Sequence, residues 1–385
     1  MMMALLIYCY ANGLFSSRRI ERATYRDVAV RFITGDTHPS DHDTIASFRR
    51  ENGALFKVCF TKVLVMAREM KIRRIGEVAI DCSKLGASAS KKRILSKEQI
   101  EAEITKLEQQ VTDLVGKAEQ TDEVDGKTPD GSRLPQELCK KNQRLDAMRL
   151  AMKQLEEKTT SRSARRAAER EAFDRGGPGE PPRALPDKPN PTDTIHPVDP
   201  DARLMPMKKG GHAPGYNVQI AVQADTKAPL ILASDVVDET SDRRQLQPMV
   251  EKTLEAQPAA THVHVDTGYD NSSQIHQVES KHRAVAYCPP EQSGRDKSSS
   301  RQSTARKATM EFREGMKSCM KSQRGRGSQQ LRATTVEPVF GRIKHTLGFK
   351  RFHPRGLVKV KLEWELMCLA HNLQLLHRHQ MRECA

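Results

Sequence analysis

The chain has 385 residues, with 64 Lys and Arg against 49 Asp and Glu, so its formal net charge is +15. Hydrophobic residues make up 37% and charged residues 29%, and no apolar run approaches the ~18 residues of a membrane-spanning helix. A helical membrane span is therefore excluded, and a basic excess of this size points to nucleic acid or another polyanion as partner.

Eight cysteines are scattered with no Cys-x-x-Cys pair. This excludes zinc ribbons and dithiol redox motifs, which need two thiols on one turn. The cysteines are expected to be free thiols in a reducing cytosol. The apolar run Met1 to Ala11 lacks a basic start and a small-residue cleavage site, so it does not read as a secretory signal. The expectation from these features is a basic, soluble, intracellular protein.

Residues 3–75 read as a helical block. Apolar residues recur through Leu5, Leu6 and Tyr10, then after Gly13 through Ile20, Tyr25, Val28, Val30 and Phe32. Asp41-His-Asp-Thr-Ile-Ala-Ser-Phe-Arg-Arg50 has the form of a capped helix start, and Leu55, Cys59, Val63, Met66 and Met70 keep helical spacing. The block is either a plain bundle or one that contacts DNA phosphates through Arg18, Arg19, Arg22, Arg26, Arg49 and Arg50.

Glu77-Val-Ala-Ile-Asp81 predicts a short strand closed by a carboxylate. Ile100, Ile104, Leu107, Val111 and Leu114 form one heptad seam, and Leu138, Leu145, Met148, Met152 and Leu155 form a second. Turn chemistry at Asp125-Gly and Pro129-Asp-Gly lies between them, so the pair reads as a helical hairpin. A Pro/Gly-rich linker follows over 175–200.

Tyr216-Asn-Val-Gln-Ile-Ala-Val-Gln223 alternates as a half-buried strand does, and Leu230 to Val237 supplies another. Ser241 is placed to cap a helix carrying Leu246, Met249, Val250 and Leu254. His262-Val-His-Val-Asp266 is a fourth strand, again closed by aspartate. Residues 291–332 read as a basic loop, Thr334-Thr-Val-Glu-Pro as a helix start, and Leu362, Leu366, Leu369, Leu373 and Leu376 as the stripe of a C-terminal helix. Strands alternating with helices predict an α/β fold.

Asp81, Asp266 and Glu337 are the candidate catalytic carboxylates. Residues just beyond buried strands lie at the sheet rim, where α/β proteins place reactive groups. Two carboxylates ~4 Å apart repel by roughly 4 kcal/mol at an effective dielectric near 20. A pair of Mg²⁺ ions, hard cations that suit oxygen ligands, would cancel that repulsion and drive phosphodiester chemistry. Each aspartate taken alone reads equally as a turn or helix cap.

Glu337, Gly341, Lys344 and Gly348 share a helical stripe, and from Pro338 to Leu362 there is no acid but seven cations, among them Arg342, Lys344, Lys350 and Arg351. An acid-free basic stretch suits a polyanion, with a merely solvated face as the alternative.

Thr335-Val-Glu-Pro-Val-Phe-Gly-Arg-Ile-Lys344, Gly348-Phe-Lys-Arg-Phe352 and Arg355-Gly-Leu resemble the catalytic-glutamate helix of bacterial insertion-sequence DDE transposases. Leu5-Leu-Ile-Tyr-Cys-Tyr-Ala11, Phe15-Ser-Ser-Arg-Arg-Ile-Glu21 and Gly35-Asp-Thr-His-Pro39 resemble that group's helical N-terminal domain. Asp199-Pro-Asp-Ala-Arg-Leu-Met205, Gly215-Tyr-Asn-Val-Gln219 and Asp242-Arg-Arg-Gln-Leu246 resemble its core.

The resemblance implies an RNase H-like catalytic core with a helical N-terminal domain and a helical-hairpin insertion. Asp81, Asp266 and Glu337 would hold two Mg²⁺ ions, with Mn²⁺ able to substitute. Lys344, Arg342, Arg332, Lys350 and Arg351 would contact DNA. The expected division is 1–75 for the N-terminal domain, 76–92 for the first core strand, 93–202 for hairpin and linker, 203–361 for the rest of the core and 362–385 for the last helix.

The implied activity is cleavage at the element's terminal inverted repeats and strand transfer into target DNA, by a homodimer in a synaptic complex with no membrane partner. The alternative is a truncated, non-catalytic derivative that represses transposition. Three departures stand out. Cys82 follows Asp81 where glycine is common, and the tyrosine upstream of the glutamate is missing, although Arg332 can fill the basic position. The family also has more sequence before this start, so the N-terminal domain is expected to be incomplete.

Overall fold

The computed structural model describes the chain apart from residues 36–40, 73–75, 124–133, 174–176, 208–209, 225, 227, 292–303 and 384–385. The described residues fall into two units: Met1–Ser88 with Asp174–Glu180 and Met205–Ala385, and Ala89–Phe173 with Pro181–Leu204. The Gly35-Asp-Thr-His-Pro motif past its glycine and the turns expected at Asp125-Gly and Pro129-Asp-Gly lie outside the described residues. No helix among the described residues is long and apolar enough to cross a membrane.

The first unit opens with α1 (Met2–Ala11), α2 (Ser17–Arg26), α3 (Val28–Thr34), α4 (His42–Glu51) and α5 (Gly53–Glu69). Leu5, Leu6, Cys9 and Tyr10 fall on one side of α1 and are all buried. The two caps are carboxylates: Asp27 accepts the amides of Ala29 and Val30, and Asp41 accepts the amide of Thr44 at 2.9 Å. Arg49 departs from its expected phosphate role. Its Nη1 is buried and donates to Tyr10 Oη at 2.7 Å, Phe15 O at 3.0 Å and Glu363 Oε1 at 3.1 Å.

After α5 comes β1 (Glu77–Gly86), and the chain then enters the second unit. There β2 (Leu95–Ser96) leads into α6 (Lys97–Glu123), α7 (Leu134–Glu171) and β3 (Thr194–Ile195), the last paired antiparallel to β2. Ser96 Oγ accepts the amide of Gln99 while Gln99 Oε1 accepts the amide of Ser96, a reciprocal cap on α6. α6 and α7 pack as a hairpin through Ile100, Leu107, Leu145, Met148 and Leu155 of the two seams read from the sequence, together with Ala151, which belonged to neither.

The chain returns to the first unit within β4 (Arg203–Pro206). It continues with β5 (His212–Gln223), β6 (Ile231–Val237), α8 (Leu246–Ala256), β7 (His262–His264), α9 (Ser272–His282), β8 (Val285–Tyr287), α10 (Thr304–Lys321), α11 (Gln323–Gly341) and α12 (Leu357–Glu383). The six-stranded sheet runs β4-β5-β1-β7-β8, with β6 also pairing β5. β1 is antiparallel to β5 and parallel to β7, and β7 is parallel to β8.

Several expectations change. The first strand does not end at Asp81 but continues to Gly86, because β5 pairs it from Val78 to Gly86. β5 is buried on both faces over most of its length, not half-buried. The expected basic loop over 291–332 holds α10 and the start of α11, while 292–303 lie outside the described residues. α10 earns its place with few apolar residues: Phe312, Met316, Cys319 and Met320 form the stripe that packs on the core. Thr334-Thr-Val-Glu-Pro is the later part of a helix that begins at Gln323, with Pro338 inside it. The cap of α8 is Gln245, since Ser241 instead accepts the amide of Arg243. The C-terminal helix starts at Leu357, five residues before its first stripe leucine.

The Arg49–Glu363 pair ties the N-terminal helices to α12. Glu363 is fully buried; burial alone would raise its pKa, but the hydrogen bond from His353 and the charge of Arg49 hold it below the ordinary carboxylate value. Arg49→Met strands that carboxylate, so a loss of about 3–5 kcal/mol is expected. Urea unfolding followed by tryptophan emission checks this, since Trp364 lies in the same helix. An unchanged midpoint would mean that the pair is dispensable.

Candidate active site

β1 and β7 pair only over Glu77–Ala79 and His262–His264. Beyond that, β1 has a flank that β7 does not cover, and both candidate aspartates fall there. Asp81 lies two residues past the paired segment, and Asp266 lies two residues past the end of β7. Side chains alternate along β1, so Val78, Ile80 and Cys82 pack on one core cluster while Asp81 and Ser83 point the other way.

α11 packs against β1 and supplies the third carboxylate. Arg332 joins them: its Nη1 donates to Asp81 Oδ2 at 3.0 Å and its Nη2 to Glu337 Oε1 at 2.9 Å. The Asp81 and Arg332 side chains are 12% and 19% exposed, whereas that of Glu337 is 52% exposed. The site is closed on the strand side and open on the helix side.

Asp81 accepts the amide of Cys82 at 2.8 Å, and Asp266 accepts the amide of Gly268 at 2.9 Å. Burial pushes Asp81 up to about 6 and the charge of Asp266 adds to this, against the opposing pull of Arg332 and the Cys82 amide. Asp266 is also raised, first by burial, with Arg332 acting against it and Asp242 with it.

Asp242 was not among the site residues expected from sequence. In the β1–β5 register, Lys84 faces Asn217 and Cys82 faces Gln219. Three of these side chains converge on Asp242: Lys84 Nζ at 3.1 Å, Asn217 Nδ2 at 2.6 Å and Gln219 Nε2 at 2.9 Å from Oδ1. The Tyr269 hydroxyl completes the network by donating to Gln219 Oε1. Asn217 and Gln219 are fully buried, so each amide needs such partners. The sequence signal was the pair of amides, Asn217 and Gln219, alternating with apolar residues along the strand.

The expected basic residues separate. α11 ends at Gly341 and is followed by a π-helical turn, Arg342–Thr346, so the stripe from Glu337 to Gly348 does not continue as one α-helical face. Lys344 Nζ donates to Ser83 Oγ and to Lys84 O at 3.0 Å, on the stretch of β1 just past Asp81. Arg342 donates to Gln374 Oε1 of α12 and is partly buried. Arg351 Nε donates to Ala87 O at 2.9 Å, and Lys350 is exposed. Arg332 therefore stands at the carboxylates, Lys344 stands on β1 just past Asp81, and Arg342 faces the C-terminal helix.

Among the described residues no three His, Cys, Asp or Glu side chains form a ready ligand set for a metal ion. The donor chemistry nonetheless fits a hard divalent cation. Asp81 and Asp266 carry oxygen donors whose ionised forms are disfavoured by burial, and a cation would relieve that. Asp81 and Glu337 already share one positive group, Arg332.

The pKa of Asp81 gives a pH test. A carboxyl whose folded pKa exceeds its ordinary value binds its proton more tightly when folded, so stability falls as pH rises from about 4 through about 6. Asp81→Asn removes that cost and should stabilise the protein at pH 7.5 by up to roughly 3 kcal/mol, the gain fading toward pH 4. Thermal unfolding of both proteins across this range checks it, and parallel pH profiles would contradict it.

Residues 258–377 match the transposase DDE domain, and residues 1–51 match the transposase domain (DUF772). Asp266, Arg332, Glu337 and Lys344 lie inside the first match, while Asp81 and Asp242 lie outside both. No curated protein and no solved structure matches the chain. DDE transposases are a nucleic-acid-cleaving, DNA-binding family that generally depends on divalent metal ions. Both transposase-domain matches lie along one polypeptide, and together they support reading the chain as an insertion-sequence DDE transposase.

Proposed function

We propose that the chain cuts DNA at the ends of an insertion sequence and joins the freed 3′-hydroxyl to target DNA. The carrying observation is the convergence on one flank of β1: Asp81 and Asp266 share an uncovered strand edge, and Arg332 links Asp81 to Glu337. The sheet supports an RNase H-like reading. β1, β5 and β6 run antiparallel in succession, then β7 and β8 add in parallel on the other side of β1. The second carboxylate follows β7, the fourth of these five strands, and the third sits on a later helix.

In this reading Asp81, Asp266 and Glu337 hold two Mg²⁺ ions. When bound, such ions activate the attacking oxygen and stabilise the leaving one. The chain's own groups do the rest. The Cys82 and Gly268 amides orient the two aspartates, and the Asp242 network fixes the strand pair beneath them. Lys344 pins β1 through Ser83 and Lys84 and lies where a DNA phosphate would approach the carboxylates. A homodimer bridging two element ends completes the proposal.

Asp81→Ala, Asp266→Ala and Glu337→Ala are each expected to abolish nicking of end-containing DNA while leaving its binding largely intact. Gel-shift and nicking assays on the same preparations check this, and normal nicking by any of the three removes that residue from the assignment. DNA affinity should fall steeply with salt, with a log–log slope of about 0.9 per phosphate neutralised.

Lys344→Ala should weaken binding of the end by on the order of 1–3 kcal/mol and slow nicking. The exposed Lys359 is the comparison. Lys359→Ala should differ little from the parent protein, and equal behaviour of the two variants would reduce Lys344 to part of a diffuse basic surface.

A further inference from the structure

We propose that Arg332 is an internal counter-cation that occupies the carboxylates and has to be displaced when a divalent ion binds, so that it sets the metal affinity of the site. This rests on the reading of Asp81, Asp266 and Glu337 as the metal-holding groups.

Three observations carry it. The guanidinium spans two carboxylates from different elements, using separate nitrogens at 3.0 and 2.9 Å. Among the described residues it is the one cation within ion-pair distance of either Asp81 or Glu337. The nearby ammonium groups are engaged elsewhere, Lys84 by Asp242 and Lys344 by Ser83 and the Lys84 carbonyl.

The competition follows from charge. Asp81 Oδ1 accepts the Cys82 amide and Oδ2 accepts Arg332, so an ion that takes Asp81 competes with the guanidinium for the same negative charge. The amide is fixed by the strand, whereas an arginine side chain can swing. A dication beside a retained guanidinium would also face like-charge repulsion, which is strong where water is scarce. Glu337 is half exposed, so the helix side offers the guanidinium a way out toward solvent. Once displaced, Arg332 presents a planar pair of donors suited to a phosphate. Metal entry and DNA docking would then favour one another, because each takes one side of the same ion bridge.

The rival is a scaffold role, in which Arg332 merely holds Asp81 and Glu337 in place. The two differ in sign. A counter-cation weakens metal binding and its removal strengthens it, whereas removal of a scaffold weakens it.

The test is Mn²⁺ binding to the full chain without DNA, followed by the electron paramagnetic resonance of free Mn²⁺ and by calorimetry. It compares the parent protein, Arg332→Gln, Arg332→Lys and Asp266→Asn. Arg332→Gln should bind Mn²⁺ about tenfold more tightly, and its melting temperature should respond more strongly to Mn²⁺. Arg332→Lys, which keeps the charge but cannot bridge both carboxylates, should fall between it and the parent. It also carries the test should the glutamine variant fail to fold. Equal or weaker binding by the Arg332 variants, with parent binding that Asp266→Asn abolishes, would overturn the counter-cation while leaving the metal site in place. Absence of saturable Mn²⁺ binding in every protein would overturn both.

Discussion

β7 stays beside β1 for three residues and then leaves it, while β5 accompanies β1 to Gly86. That mismatch in length creates the site. A longer β7 would cover the flank of β1 where Asp81 stands, and a shorter β5 would leave Asp81 on a frayed end. Instead the aspartate sits on a strand held rigidly from one side, with its own carboxylate taking the following amide. Asp266 arrives where the parallel partner turns away into a short 3₁₀ turn, Thr267–Tyr269, which it caps through Gly268. Asp81 is thus fixed by strand pairing and Asp266 by the turn that it caps.

Two arginines show how the same chemical group serves different ends. Arg49 is enclosed, with Tyr10, Phe15 and Glu363 all accepting from one nitrogen. Its partner carboxylate also takes the amide of His353, so the buried charge is balanced and its hydrogen bonds are made. Arg332 is only partly enclosed, and one of its two partners faces solvent. The first arrangement is a fastening that costs a great deal to open. The second can open at modest cost, because water can solvate both Glu337 and a released guanidinium.

The sequence made the carboxylates visible and hid their surroundings. Asp81 and Asp266 stood out because β-branched runs precede them, and those runs are indeed strands. Glu337 stood out through helical spacing, although its helix begins eleven residues earlier than the Thr334 cap signal suggested. Hydroxyls such as Thr335 Oγ1, which back-bonds to Leu331 O at 2.7 Å, look like cap residues in a sequence but sit comfortably inside a helix. α10 was missed because its core stripe is only four residues wide and is surrounded by charge. Asp242 was missed for a different reason. Its importance comes from cross-strand register, which pairs Lys84 with Asn217 and Cys82 with Gln219, and register is not written in either strand alone. Arg49 read as a surface cation because its partner lies 314 positions away.

The net charge of +15 therefore acts at two ranges. The cations closest to the carboxylates are committed to internal partners: Lys84 to Asp242, Lys344 to β1, Arg332 to Asp81 and Glu337. They neutralise a site that would otherwise repel a polyanion. The exposed ones, such as Lys350 and Lys359, contribute to a long-range positive field at the surface, which on the proposed function would draw DNA to it. A purely basic surface would attract a duplex without giving it a reactive position, and bare carboxylates would repel it. Here the buried acids are masked by cations, and of these Arg332 is the one bonded directly to two of the carboxylates. On the proposed function, long-range attraction of DNA and uncovering of the carboxylate oxygens are then separate events, and the first need not wait for the second.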